Sequence, residues 1–191
     1  MKRNVLILLI VWMASWSVSF AQDKVEREVR VKSDEVPDRA KSWLKDAFEK
    51  VKRPKWFLEY SQAGKAFEAK FWWEKHYHSV KFDSLGKLID VEIEIAKEEM
   101  PSSSWAKITS YFESEFEEYS VMKIQRQLVG EESDVEDFFD EEETEGITLR
   151  YEIEFHGKKD SWQIWEALFD EGGEFISLVR VQIRPVDNLI F

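Results

Sequence analysis

The chain has 191 residues and a mass of 22.8 kDa, with 43% hydrophobic, 15% aromatic and 35% charged residues and no cysteine. Without cysteine there is no disulfide framework, thiolate metal site, thiol nucleophile or lipid-modified cysteine anchor, and the hydrophobic content is too high for a disordered chain of this acidity. A formal charge of −12, or −14 once residues 1–21 are set aside, repels phosphate backbones and excludes nucleic acid as an expected partner.

Lys2 and Arg3 form a basic start, residues 5–13 are an unbroken apolar run, and Ser19 and Ala21 place small residues before Gln22. These features predict a secretory signal peptide over residues 1–21. Nine apolar residues fall short of the roughly 20 that a bilayer span needs, so no membrane span is expected after cleavage. The mature protein is expected to be periplasmic or secreted, with residues 22–35 as an N-terminal segment.

Residues 36–97 read as one α+β unit. Ala40, Trp43, Leu44, Ala47, Phe48 and Val51 fall at helical spacing after Pro37, and Pro54 with the basic run 50–53 marks the helix end. Residues 55–61 predict a short strand. Phe67, Ala69, Phe71 and Trp73 then alternate with Glu68, Lys70, Trp72 and Glu74, and residues 77–83 return with Val80 and Phe82 inward. After the turn Asp83-Ser84-Leu85-Gly86, Ile89, Val91, Ile93 and Ile95 alternate with Asp90, Glu92 and Glu94.

Residues 98–184 repeat that order. Ser102 to Ser104 offer helix-capping hydroxyls, and Trp105, Ile108, Phe112 and Phe116 form a helical stripe. Residues 119–129 are strand-like. Ile147, Leu149, Tyr151, Ile153 and Phe155 alternate with polar residues, residues 162–169 return, and Asp170-Glu171-Gly172-Gly173 matches the earlier turn before Val179, Val181 and Ile183. Pro37 to Pro101 is 64 positions but Asp83 to Asp170 is 87, which predicts an insertion in the second copy, chiefly the acidic stretch 131–145. Residues 185–191 form a C-terminal tail. The expected fold is two tandem units, each a helix packed on a small antiparallel sheet, sharing one curved sheet of about eight strands.

Val36-Pro37 with its helix, Lys55-Trp56, the alternation 67–73 and the run Ser79-Val80-Lys81-Phe82-Asp83-Ser84-Leu85-Gly86-Lys87-Leu88 resemble the PepSY-like family. These are exported bacterial proteins described as beta-lactamase-inhibitor-like. The resemblance covers about residues 35–184 and is degenerate in the second copy, where Ala167-Leu168-Phe169-Asp170-Glu171-Gly172-Gly173 keeps Phe-Asp and Gly. It implies a helix on an antiparallel sheet, present twice, and no catalytic residues.

The residues themselves point the same way: G-x-S-x-G, H-E-x-x-H, Walker A and G-x-G-x-x-G patterns are all absent, so no enzyme activity and no cofactor are expected. His76 and His78 share one strand face and could bind a metal ion if a third ligand arrived, but no ligand motif accompanies them. A satisfied core histidine is the better reading, and no metal is expected. The stretch 131–145 holds ten acids and no bases around Phe138 and Phe139. It reads as a solvated loop, with a docking role through Asp137, Phe138, Phe139 and Asp140 as its functional reading.

Strand parity supplies the remaining site expectation. With helices covering one face, Phe57, Trp72, Tyr77, Trp162, Ile164 and Leu168 fall on the other, interleaved with Lys70, Lys81, Arg150 and Arg180. Aromatic residues with arginine are what protein-binding surfaces concentrate. The expected function is a non-catalytic binding module acting by occlusion on a protein partner, an envelope peptidase or a beta-lactamase-like enzyme. The alternative is a small-ligand or metal-ion sensor using the acidic stretch and the histidine pair.

Overall fold

The spacing of Ala40, Trp43, Leu44 and Ala47 produces the expected helix. In the computed structural model, which describes residues 22–24, 27–48, 50–62 and 64–182, α1 spans Asp38–Ala47 and buries all four. Strands β1 (Gln22–Lys24) and β2 (Arg27–Val31) precede it, and β3 (Lys55–Ser61), β4 (Gly64–Trp73), β5 (His76–Asp83) and β6 (Leu88–Glu94) follow. Then come α2 (Ser102–Glu115), β7 (Glu118–Val129), α3 (Glu132–Glu141), β8 (Thr148–Lys158), β9 (Trp162–Asp170) and β10 (Phe175–Val181). The signal peptide, Ile183 and the tail 185–191 lie outside the described residues.

All ten strands form one sheet in the order β1-β10-β9-β8-β7-β6-β5-β4-β3-β2. Every pairing is antiparallel except β1 with β10. Strands β3 to β10 are the eight expected; the N-terminal segment adds one strand to each edge. The halves join through β6 and β7, where Val91 faces Leu128 and Ile93 faces Arg126.

The helices cover one face, and the core lies between the layers. Trp43 of α1 meets Phe82 edge-on at 5.8 Å, and Phe112 of α2 packs on Phe155 at 4.4 Å and Phe169 at 5.7 Å. Buried residues form a continuous cluster from Val36 to Phe169. Helices α1 and α2 are each also fixed by a tight turn. In both, the aspartate amide donates to the residue four positions on (Asp83 to Lys87, Asp170 to Glu174), and a glycine with φ near +84° closes it. Gly86 sits against Pro37 and Ala40, and Gly173 sits against the Ser104 backbone, so close that a Cβ would collide.

Four local expectations are corrected. The acidic stretch is a helix rather than a loop over most of its length. The second concerns the serines at 102–104: α2 has no side-chain cap, and the buried Ser104 hydroxyl donates instead to the Glu171 carbonyl at 2.8 Å, tying α2 to its turn. Third, a bulge at Lys81/Phe82 puts Leu88 opposite Phe82 and inside, leaving Ile89 40% exposed. The fourth concerns Val181, expected with Trp165 and Phe169 on the helix-covered face: a second bulge, between Phe175 and Ser177, swaps the parity of β10 and turns Val181 away from the helices.

The helix-free face as a candidate functional site

Period-2 alternation sends every second residue of β3 to β9 to the face opposite the helices. There Trp72, Tyr77, Glu94, Gln125, Glu152 and Leu168 follow one another across the strands. One turn further into the sheet, Lys70 pairs with Ser79, which faces Glu92, then Gln127 and Arg150. A cavity of about 220 Å³ is lined by residues from β2 through β10, so this face is concave. Its lining includes eight glutamates and three lysines.

Curvature buries these charges. Glu59 and Glu68 are only 4% exposed, and Asp90 only 8%. Lys81 holds Glu59 at 2.9 Å; Lys70 holds Glu28 at 2.8 Å and Glu68 at 3.0 Å, while the Ser79 hydroxyl donates to Glu68. Gln125 donates to Glu92 at 2.7 Å and Gln127 to Asp90 at 2.9 Å. Burial pushes the Asp90 carboxyl up to about 6, against the pull of Lys81. Burial, with Glu152 and Asp90 beside it, raises Glu92 well above the usual carboxylate range. Burial acts on Glu68 in the same direction, yet Lys70, Ser79 and Lys81 outweigh it and hold that group low. Carboxylate oxygens of Glu28, Glu59 and Glu68 lie within 4.8 Å of one another, the spacing a metal ion needs. Lys70 and Lys81 already supply the countercharge to all three.

The expected aromatic residues lie toward the ends and edges of this polar centre rather than forming a continuous sheet of rings. Trp72 is 71% exposed and meets Tyr77 edge-on at 5.6 Å beside the β4–β5 hairpin. Trp162, 49% exposed, stands at the β8–β9 hairpin, at the same end of the sheet. Phe57, Tyr77, Ile164 and Leu168 are half-buried. Met122, 48% exposed at a bulge in β7, belongs to this end too and was missed, because a bulge has no sequence signature. The polar centre was also missed, although Asp90, Glu92 and Glu94 alternating along one strand were its visible trace.

The acidic stretch and the histidines go elsewhere. Helix α3 docks on the helical side: Trp43 Nε1 donates to the Glu132 carbonyl at 3.0 Å, the Glu132 carboxylate accepts from Leu88 N, and Arg39 pairs with it at 3.0 Å. Phe139 packs on Phe48 at 4.5 Å and Trp73 at 5.7 Å, and Phe138 is half-buried; Asp137 and Asp140 face solvent. The two phenylalanines are therefore anchors of α3 rather than an exposed docking pair. His78 is 2% exposed among Phe48, Phe71 and Trp73, and burial lowers it to about 4, so it stays neutral at ordinary pH. Its Nδ1 contacts the His76 carbonyl, while His76 Nε2 lies 2.7 Å from Glu99. The pair does not converge on a common point for a metal ion.

No family model matches the chain, and no curated protein matches its sequence. Solved structures do share the fold. A DUF2874 family protein from Bacteroides uniformis superposes with a TM-score of 0.55 at 14% identity, over 76% of this chain and 89% of that one. A candidate periplasmic protein from Bacteroides eggerthii gives 0.53 at 18%, over 76% and 88%. A BLIP-like protein from Bacteroides fragilis gives 0.50 at 15%, over 79% and 90%. The chain thus has a BLIP-like α+β fold with an antiparallel sheet. No described helix is long and apolar enough to cross a membrane.

Proposed function

We propose that the protein is an exported, non-catalytic binding module of PepSY-like type that grips a protein partner at the Trp72/Trp162 end of its helix-free face. The carrying observation is that two tryptophans stand 71% and 49% exposed on the same end of a sheet whose opposite face packs against the helices. Exposed tryptophans flanking a concave surface suit a partner loop that enters the concavity while the indoles desolvate against its sides. The action is occlusion, as for an inhibitor of an envelope peptidase or beta-lactamase-like enzyme, and the BLIP-like name of one fold relative supports that class. Export rests on the basic, apolar and small-residue order of residues 1–21.

A tandem origin belongs to the same reading. The Asp83 and Asp170 turns make equivalent backbone bonds, and their glycines meet the first turns of α1 and α2 at equivalent positions. The test is capture of a partner from the native envelope fraction by the immobilised mature protein. Trp72→Ala and Trp162→Ala should each weaken capture about tenfold or more while the fold stays intact. Undiminished capture by the double variant refutes the proposal.

A further inference from the structure

The basic run at residues 50–53, read from sequence as a helix end, and Lys55 at the start of β3 do more than end α1. Helix α1 stops at Ala47, and a helix dipole acts only within its last turn, so cations beyond that point have no helical role. Lys50, Lys52, Arg53 and Lys55 are exposed, and among the described residues none of them makes an ion pair or side-chain hydrogen bond. Acids elsewhere hold lysines such as Lys41, Lys70, Lys81, Lys107 and Lys158, and what sets these four apart from other cations without an ion pair among the described residues, such as Arg30, Lys45 and Lys75, is that they border one cleft. Lys55 even sits directly across from Lys70, a like-charge pairing that costs stability.

The four cations border a cleft of about 710 Å³, whose other wall is Phe71, Trp72, Trp73 and Tyr77. That volume is within the range of ligand sites. Two of the three non-glycine residues with left-handed backbone among the described residues, Arg53 at φ 62° and Glu74 at φ 52°, border the same cleft. Such conformations cost roughly 1–3 kcal/mol each and gather at binding sites.

We infer that this cleft binds an acidic peptide segment, its carboxylates on Lys50, Lys52, Arg53 and Lys55 and its apolar side chains on Trp72 and Trp73. Four cations spread over residues 50–55 exceed what one small anion needs, and an extended segment of six residues reaches up to about 20 Å. A local reversal of sign in a protein of charge −12 steers an acidic segment toward this cleft. Glu74 and Asp140 also line the cleft, so a uniformly charged polyanion meets repulsion there that a segment alternating acidic and apolar residues avoids. The inference deepens the partner-binding reading, on which it rests, by naming the chemistry of the segment that lies beside Trp72.

The test uses the mature protein with a fluorescein-labelled peptide of alternating glutamate and phenylalanine, its glutamine counterpart, and a sulfated oligosaccharide of equal charge. The glutamate peptide should bind, lose affinity as salt rises, and bind about tenfold more weakly to a Lys50→Glu/Lys52→Glu/Arg53→Glu variant whose melting temperature is unchanged. Equal binding of the glutamine peptide, or full binding by the charge-reversed variant, overturns the inference. So does a sulfated oligosaccharide that binds more tightly through the same three cations, which assigns the cleft to an anionic glycan. Partner capture that depends on Trp162, with no peptide binding, removes the inference and leaves the partner-binding reading standing. Peptide binding without partner capture does the reverse.

Discussion

Asp90→Asn should stabilise the protein at neutral pH. Asp90 lies on the concave face, opposite Lys81, with Oδ2 accepting from Gln127 at 2.9 Å and Oδ1 unpartnered among the described residues. Its carboxyl rises from an ordinary 3.8 to about 6, chiefly through burial. Between those values the folded state holds a proton that the unfolded chain has released, so stability falls as pH rises through the window and stays lowered above it. Two units correspond to about 3 kcal/mol. Asparagine keeps an oxygen for Gln127 and resembles the protonated acid, so it removes the cost. Circular-dichroism melts from pH 4 to 8 should show nearly equal stability near pH 4 and a gain of up to about 3 kcal/mol above pH 7, roughly 6–12 °C for a chain of this size. His78 slopes the other way: its folded value of about 4 lies below the ordinary 6.5, so its stability is present above 6.5 and lost as pH falls. The two slopes overlap in the wild type, and the variant-minus-wild-type difference isolates Asp90. A variant less stable at pH 7.5, or a difference that does not change with pH, refutes the electrostatic account.

Three other perturbations bear on the architecture. Phe139→Ala removes the anchor of α3 on Phe48 and Trp73 and should cost about 2–3 kcal/mol, measured by denaturant unfolding, with little effect if α3 is only loosely attached. Gly173→Ala puts a Cβ into the Ser104 backbone at φ 83° and should cost at least about 2 kcal/mol, whereas Gly172→Ala, which meets only Asp170 Oδ1 at 3.3 Å, should be close to neutral in the same melts. Trp72→Ala and Trp162→Ala should each change stability by less than about 1 kcal/mol, since both rings face water; a larger loss makes them core residues.

Strong periodicity was legible. The stripes of α1 and α2 and the alternations in β4 and β8 turn the residues their spacing names toward the core, with Trp105, Phe67, Trp73 and Leu149 half-buried at its margin, because a helix or strand face packed against another layer tolerates few polar positions. Both Asp-to-Gly turns were legible as well, since positive φ selects glycine. The parity of β10 was not, because one bulged residue inverts everything after it. Helix α3 was hidden for a different reason. Ten acids without a base read as self-repelling, yet Val135, Phe138 and Phe139 supply enough apolar surface on one side, and Glu132 finds Arg39 and the Leu88 amide.

The candidate site divides along the same line. The placement of Trp72 and Trp162 away from the helices follows from alternation, a property of adjacent residues that any strand carries with it. Their separation by a concave, carboxylate-lined centre does not, because curvature of a ten-stranded sheet arises from pairings between residues far apart in the chain. Sequence alone thus determined the layers, the turns and which side each ring faces. Tertiary structure decided which charges are shut from water, which remain without partners at residues 50–55, and where α3 rests, since burial and countercharge exist only once distant segments meet.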